Sequence, residues 1–245
     1  MTSISAHKTD VGRVSKHNQD YIWTDESNQV YIVADGMGGQ DAGELASELA
    51  ATTTGQFITA RLQAQATAAV VKEIMSAALE AANKTVMRAA QAAKQDRPMG
   101  AAIVVAVVRP PTAYISHAGD ARAYLIQQAT VSRLTTDDSW VAQLVANGVI
   151  TEEQAEHHPL GHILIKAVGH ESPLEPAFKE VKVTPGDWLL LCSDGLWKML
   201  NHEQFLAVLQ SPETTPASAA ETLVEAANAA GGKDNISIIL IKITT

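Results

Sequence analysis

The most informative stretch of this 245-residue chain is Tyr31-Ile-Val-Ala-Asp35-Gly36-Met37-Gly38-Gly39. Its apolar start is typical of a buried β-strand, and the strand ends at a carboxylate. The glycines beside Asp35 permit a tight turn at that point. Directly afterwards, apolar residues recur every three or four positions over Gln40–Leu62, which predicts a long helix. The stretch therefore indicates a strand that delivers a carboxylate to a turn beside a helix.

Three other aspartates are placed in the same way at the ends of apolar runs. Asp120 and Asp194 each follow such a run, and Asp234 comes just before the run Ile236–Ile243. One carboxylate beside a glycine is usually only a turn, whereas four of them at strand ends indicate a shared site. Clustered carboxylates repel one another unless a cation holds them. Oxygen ligands alone select hard cations, so the pattern favours Mg²⁺ or Mn²⁺.

The rest of the sequence alternates between strand and helix patterns, without a linker or an internal repeat. An alanine-rich second helix is predicted over 67–94, and four short strands are predicted to form one meander over 101–134. Capping signals at Asn201 and Thr215 begin two further helices. This order of strands and helix pairs indicates a single layered α+β domain over residues 1–245.

Composition restricts the class of protein. The formal net charge of −9 disfavours nucleic acid or an anionic lipid surface as a partner. No apolar stretch reaches eighteen residues, and the N-terminus lacks the basic and apolar regions of a signal peptide, so we expect a cytoplasmic protein. The single cysteine, Cys192, lies within a strand pattern, where we expect a buried hydrophobic residue rather than a nucleophile.

Taken together, the motifs resemble those of the metal-dependent Ser/Thr protein phosphatases of the PP2C (PPM) family in their short bacterial form. The matching segments span nearly the whole chain and are Asp10-Val-Gly12, Asn18-Gln-Asp20, Val33-Ala-Asp35-Gly-Met-Gly-Gly39, Gly119-Asp120-Ala-Arg122, Cys192-Ser-Asp194-Gly195-Leu-Trp197 and Asp234-Asn235. The resemblance implies a four-layer α-β-β-α sandwich of two antiparallel sheets flanked by helix pairs. It also implies a flap beside the active site over about residues 139–168, for which an ordinary surface insertion is the alternative.

The resemblance also implies a role for each site residue. Asp35 and the carbonyl oxygen of Gly36 would be the central ligands of a dinuclear metal centre, and Asp194 and Asp234 would bind the first metal. Asp20 would orient the water that the metals activate, although a turn or a cap is an alternative role for it. The residues expected to be catalytic are therefore Asp20, Asp35 and Asp194.

Asp120 matches a position that, with Asp194, holds a third and weaker metal in bacterial members of the family. An ion pair with Arg122 is the alternative role for this carboxylate. The expected cofactors are accordingly two Mg²⁺ or Mn²⁺ ions, with room for a third.

The activity implied by the resemblance is hydrolysis of phosphoserine and phosphothreonine in proteins. Two divalent ions would lower the pKa of a shared water, so no covalent phospho-enzyme is needed. We expect a monomer whose partners are phosphoproteins, either a Ser/Thr kinase or its targets. If the protein is an enzyme, the alternative is a phosphatase that acts on antagonists of anti-sigma factors. If it is a binding protein, the alternative is a weakly active or inactive pseudophosphatase that binds phosphoproteins.

The sequence departs from the family pattern around the expected phosphate site. Where the family usually has an arginine that grips the substrate phosphate, five residues before Asp20, this chain has Ser15. Arg13 and Lys16 are close in sequence, and either could take over that role. Met37 stands where many members carry a histidine that is a candidate general acid, so this sequence leaves the proton donor to the leaving group unassigned.

Overall fold

Two antiparallel sheets of five strands each form the centre of the computed structural model, which describes residues 1–93, 99–156, 158–170, 172–211 and 213–245. The strands are β1 (Thr2–Asp10), β2 (Asp20–Asp25), β3 (Val30–Met37), β4 (Gly100–Arg109), β5 (Thr112–Ala118), β6 (Arg122–Gln127), β7 (Thr130–Arg133), β8 (Ala177–Lys182), β9 (Trp188–Cys192) and β10 (Ile236–Thr244). One sheet has the order β2-β3-β4-β5-β8, and the other has the order β1-β10-β9-β6-β7.

The helices cover the outer faces of these sheets and the connections between them. They are α1 (Gln40–Arg61), α2 (Ala68–Ala93), α3 (Trp140–Ala146), α4 (Glu152–Glu156), α5 (Asp194–Trp197), α6 (His202–Leu209) and α7 (Pro216–Ala229). The predicted caps are confirmed, since Asn201 and Thr215 each accept a hydrogen bond from the third helical N–H and complete a capping box. The last residue of the predicted second helix, at position 94, lies outside the described residues.

Alternation along β3 shows how the layers are built. Ile32 and its neighbours on the same face of β3 pack into a cluster with α1 and α2. Val33, on the opposite face, packs into a second cluster between the two sheets, with residues such as Leu189 and Ile239. A third cluster, around Phe205, lies between the other sheet and α6 and α7. The fold is therefore the expected four-layer α-β-β-α sandwich.

The prediction of one four-stranded meander over 101–134 is wrong. Strands β4 and β5 belong to one sheet, while β6 and β7 belong to the other. The chain crosses between the sheets at Gly119, which has a φ of +103°, and an added Cβ there would lie 2.5 Å from the Ala102 Cβ atom. A glycine is needed for this crossing, and strand patterns alone do not reveal which sheet a strand joins.

The helices include one short element that the sequence did not predict. The short helix α5 was not predicted, because an Asp-Gly pair after an apolar run favours a turn. Among the helices of the described ranges, none combines the length and apolar character required to cross a bilayer.

Candidate active site

Aspartates from both sheets face one another at one end of the sandwich. Asp20 begins β2 and lies directly opposite Asp35 of β3 in the antiparallel register. Asp120 follows β5, and Asp194 begins α5 immediately after β9. Asp234 lies two residues before β10, the strand that pairs with β9. The fold thus brings together five carboxylates from distant parts of the chain.

Asp20 is buried and is held by the neighbouring sheet. Its Oδ2 accepts a 2.7 Å hydrogen bond from the Ser193 hydroxyl, and that hydroxyl oxygen accepts the Ser237 N–H at 2.9 Å. Burial raises the pKa of Asp20 to about 7, and the Asp194 and Asp234 charges add to the effect, against the hydrogen bond from Ser193. The buried Oδ1 has no hydrogen-bond partner among the described residues, so one acceptor remains available to the site.

Asp35 lies at the centre of the acidic group. Burial raises its pKa well above the ordinary value, and the carboxylates of Asp20, Asp194, Asp120 and Asp234 raise it further. Each of the other four carboxylates therefore acts electrostatically on this one. Such an arrangement is costly unless a cation lies among the carboxylates, as the sequence predicts.

Gly36 is required by the close approach of α1 to the end of β3. A Cβ at this position would lie 1.9 Å from the Gly43 carbonyl oxygen in the first turn of α1. The Gly36 N–H also donates a 3.0 Å hydrogen bond to the Gln19 carbonyl, one residue before Asp20. The close packing fixes the backbone at the position where the resemblance expects a carbonyl ligand.

Asp194 is paired with a residue that the sequence did not reveal as part of the site. Its Oδ2 accepts a hydrogen bond from the Lys198 ammonium, one helical turn later, in an ion pair whose lysine is partly exposed to solvent. Its Oδ1 is buried without a hydrogen-bond partner within the described residues. The four-residue spacing was the available signal, because residues at that spacing meet on one face of a helix.

Asp120 does not pair with Arg122, which was the alternative that the sequence left open. Arg122 instead binds Asp137 through its Nη2 and Nε atoms, at 2.7 and 3.0 Å, and its guanidinium lies 3.3 Å from the centre of the Trp197 ring. Burial raises the pKa of Asp120 to about 7, and the Asp194 charge makes the next largest contribution. The Asp120 carboxylate therefore belongs electrostatically to the site.

Asn235 organises the loop over residues 11–19, a role that the sequence did not assign to it. Its side-chain amide donates 2.9 Å hydrogen bonds to the carbonyls of Val11 and His17, and its Oδ1 accepts the Gln19 N–H at 2.8 Å. Next to it, Asp234 lies at the exposed rim of the site, and its pKa is raised by partial burial and then by Asp194. In the Asp234-Asn235 motif, a candidate metal ligand, Asp234, is therefore followed directly by Asn235, the residue that anchors the loop.

The three candidate phosphate-binding residues lie in different surroundings. Ser15 lies close enough to the Asp234 carboxylate to lower its pKa slightly, which places Ser15 at the rim of the site. The Arg13 side chain packs against Gly232, where an added Cβ would lie 2.8 Å from the Arg13 Cγ atom, and its charge acts on Asp10. Lys16 is exposed.

Cys192 lies just before the site but takes no part in nucleophilic chemistry. Its side chain is fully buried in the core, and burial raises the pKa of the thiol far above its ordinary value. Thiolate chemistry at this end of the sandwich is therefore excluded.

The donor set fits divalent cations. The side chains are all carboxylates, and two buried carboxylate oxygens, on Asp20 and Asp194, lack hydrogen-bond partners in the described part of the chain. Within that same part, no three His, Cys, Asp or Glu side chains converge on a single point as a ready-made ligand set. The fit therefore rests on the chemistry of the donors and on their mutual electrostatic effects, as expected for carboxylates that repel one another.

Known proteins that are similar to this chain in sequence and in structure are protein phosphatases. A family model described as protein phosphatase 2C matches residues 12–228. The serine/threonine phosphatase stp of Listeria monocytogenes is 34% identical over 241 residues, which is 96% of this chain and 94% of that protein. The crystal structure of the Mycobacterium tuberculosis serine/threonine phosphatase PstP/Ppp has a TM-score of 0.89 at 30% identity and covers 100% of both chains. The catalytic domain of PstP in complex with two manganese ions gives a TM-score of 0.85 at 29% identity, with 99% of each chain covered.

Fold and site together define a metal-dependent phosphatase. The chain belongs to the protein phosphatase 2C family and is a serine/threonine phosphatase of the PP2C type.

Proposed function

We propose that this enzyme hydrolyses phosphoserine and phosphothreonine side chains of proteins with two Mg²⁺ or Mn²⁺ ions held by Asp35, Asp194 and Asp234. The observation that carries the proposal is the position of Asp35, whose pKa is raised by burial and by four other carboxylates. A relative of known structure binds two manganese ions, which supports the same number here. The Gly36 carbonyl is proposed as a further ligand.

The residues of the chain prepare the site for a water nucleophile. When bound, a pair of divalent cations lowers the pKa of a shared water and offsets charge on the phosphoryl oxygens. Ser193 holds Oδ2 of Asp20, which leaves Oδ1 free to accept a hydrogen bond from that water and orient it. No side-chain nucleophile is needed, in agreement with the buried thiol of Cys192.

We propose that the enzyme binds the substrate phosphate more weakly than it would with an arginine at position 15. Ser15 lies beside Asp234, so its position faces the site, but a hydroxyl offers only one neutral hydrogen bond. The aliphatic part of Arg13 packs against Gly232, and its charge lowers the pKa of Asp10. Both contacts support the view that Arg13 does not replace the missing phosphate-binding arginine. Lys16 remains a candidate for a weaker, screened contribution from the surface.

The flap over residues 139–168 is proposed as the surface that meets the protein substrate. Five of its large apolar side chains are exposed, namely Trp140, Val149, Leu160, Ile163 and Ile165. Its two ends are tied together, because the Trp140 N–H donates to the Ile163 carbonyl at 2.8 Å and Lys166 pairs with Asp138 at 3.1 Å. Contiguous exposed apolar surface marks protein contacts, and the hydrogen bond between the backbones of Trp140 and Ile163 brings two of these residues together. We infer that a Ser/Thr kinase or its targets supply the phosphoprotein.

The alternative of an inactive phosphoprotein-binding module has little support. Its sequence argument is Ser15 alone, whereas Asp35, Asp194 and Asp234 are all present and act on one another electrostatically.

The test measures turnover of a phosphothreonine peptide and of p-nitrophenyl phosphate with Mn²⁺, with Mg²⁺ and with EDTA. We expect turnover with either ion and none with EDTA. Asp35→Asn should lower turnover by about a thousandfold or more, because it removes a central ligand. Asp41→Asn, an exposed aspartate at the start of α1, is the matched control and should leave turnover unchanged. Undiminished turnover in EDTA would exclude the metal mechanism, and absence of turnover under all conditions would favour the binding module.

A further inference from the structure

Lys198 places a positive charge inside the acidic site. Its Nζ donates to Asp194 Oδ2, and its side chain keeps 37% of its exposure while that of Asp194 keeps 15%. Among the ion pairs found in the described residues, this is the one that involves an aspartate of the site. The sequence predicts that Asp194 and Asp120 hold a third metal ion. In the structure, the Asp194 carboxylate is instead bound by a lysine.

The position of Lys198 is fixed by its neighbours. The Lys198 N–H donates to the Asp194 carbonyl at 3.0 Å, which closes the turn of α5. Trp197, one residue earlier, donates its indole N–H to the Asp120 carbonyl at 3.0 Å, and the Lys198 Nζ lies 5.1 Å from the centre of the Trp197 ring. Arg122 lies against the same ring. The turn that carries Lys198 is thus fastened to the segment that carries Asp120.

The positive charge of Lys198 interacts with several carboxylates of the site. Burial acts to lower its pKa, but Asp194, Asp120 and Asp35 outweigh burial, and the pKa is raised above its ordinary value. In return, the Lys198 charge lowers the pKa of Asp120 and of Asp234 relative to burial alone. By geometry, the Lys198 ammonium therefore lies at the Asp194 carboxylate, one of the two carboxylates that a weakly bound third metal ion would use.

We propose that the Lys198 ammonium takes the place of a third metal ion beside Asp120 and Asp194, so that the chain binds two divalent ions and supplies the third positive charge itself. The inference rests on the proposed function, because it concerns the same site. Lys198 acts here as a positioning residue: it holds Asp194 Oδ2 and leaves Oδ1 to the cations. A further consequence is that excess Mn²⁺ should not raise activity once two ions are bound.

The test counts bound Mn²⁺ by isothermal titration calorimetry and by the electron paramagnetic resonance signal of unbound Mn²⁺. We expect two ions per wild-type chain and a third, weaker ion in Lys198→Asp, which replaces the ammonium with a carboxylate. Lys198→Met removes the charge without adding a ligand, and we expect it to bind the third ion more weakly than Lys198→Asp. Lys84→Met breaks another pair at four-residue spacing, Lys84–Glu80 on α2, which involves no aspartate of the site, and should keep two ions. Circular dichroism melting confirms that each variant is folded.

The outcomes separate the two proposals. A wild type that binds three ions, or a folded Lys198→Asp that still binds two while the wild type turns over substrate, overturns the role of Lys198 and leaves the proposed function intact. A rise in KM of Lys198→Met without any change in ion count would also overturn it, since Lys198 would then bind phosphate. A wild type that binds no Mn²⁺ and ignores EDTA would overturn the proposed function itself.

Discussion

Replacing Asn235 with alanine should loosen the loop that leads into the site. Asn235 is only 4% exposed, and it makes three hydrogen bonds to the backbone between positions 11 and 19. That loop carries Ser15 and ends at Asp20, the first residue of β2. The variant therefore removes an anchor without removing any candidate metal ligand.

The expected magnitude follows from the count of these bonds. A buried hydrogen bond contributes about 1 kcal/mol net, so the loss of three bonds should lower the free energy of unfolding by about 3 kcal/mol. Activity should fall as well, because displacement of a catalytic group by about 1 Å can cost about a hundredfold in rate. By contrast, Asn201→Ala removes only an exposed helix cap and should cost about 1 kcal/mol with activity unchanged.

Urea unfolding and turnover of p-nitrophenyl phosphate measure the two effects. Asn235→Asp is an informative second variant, because it retains an acceptor for the Gln19 N–H, loses both donors and adds a charge beside Asp234. It should be destabilised at neutral pH and partly recovered by Mn²⁺. A loss of stability for Asn235→Ala that is no greater than the loss of about 1 kcal/mol expected for Asn201→Ala would refute the anchoring role.

Three further results are expected. Ser15→Arg should lower KM for small phosphoesters by roughly five- to a hundredfold with little change in kcat, because a charge-assisted contact adds about 1–3 kcal/mol; an unchanged KM, with a raised KM in Arg13→Ala, would show that Arg13 already fills the role. Gly36→Ala should be destabilised by at least about 1–3 kcal/mol in urea, because its Cβ would overlap the Gly43 carbonyl, and wild-type stability would contradict the close packing. In EDTA, the free energy of unfolding should fall between about pH 4 and 7, by about 1.4 kcal/mol per pH unit for each of Asp20 and Asp120. Their folded pKa values are raised to about 7, so the folded chain holds protons that the unfolded chain has released; a flatter slope in Asp20→Asn supports this, and a rise with pH contradicts it.

The strands and their terminal aspartates could be predicted because their signals are local. An apolar run that ends at Asp35 or Asp194 is visible within eight residues, and so are the caps at Asn201 and Thr215. The assignment of β6 to the second sheet was missed, since pairing depends on a crossing at Gly119 and on a partner strand far along the chain.

The supporting residues of the site were missed for a similar reason. Ser193 reaches Asp20 across 173 positions of sequence, and Asn235 reaches His17 across 218. Neither contact leaves a pattern in a short window of sequence. Lys198 had a local signal, its four-residue distance from Asp194, but such pairs are common on exposed helices and carry no information on their own.

The most direct test of the account is an anomalous diffraction experiment on crystals grown with Mn²⁺. We expect two peaks next to the Asp35 carboxylate, one of them also in contact with Asp194 and Asp234, and no peak at the Lys198 ammonium. Peaks remote from Asp35, or the absence of any peak in a chain that still hydrolyses phosphothreonine, would contradict the assignment of this acidic cluster as the metal centre.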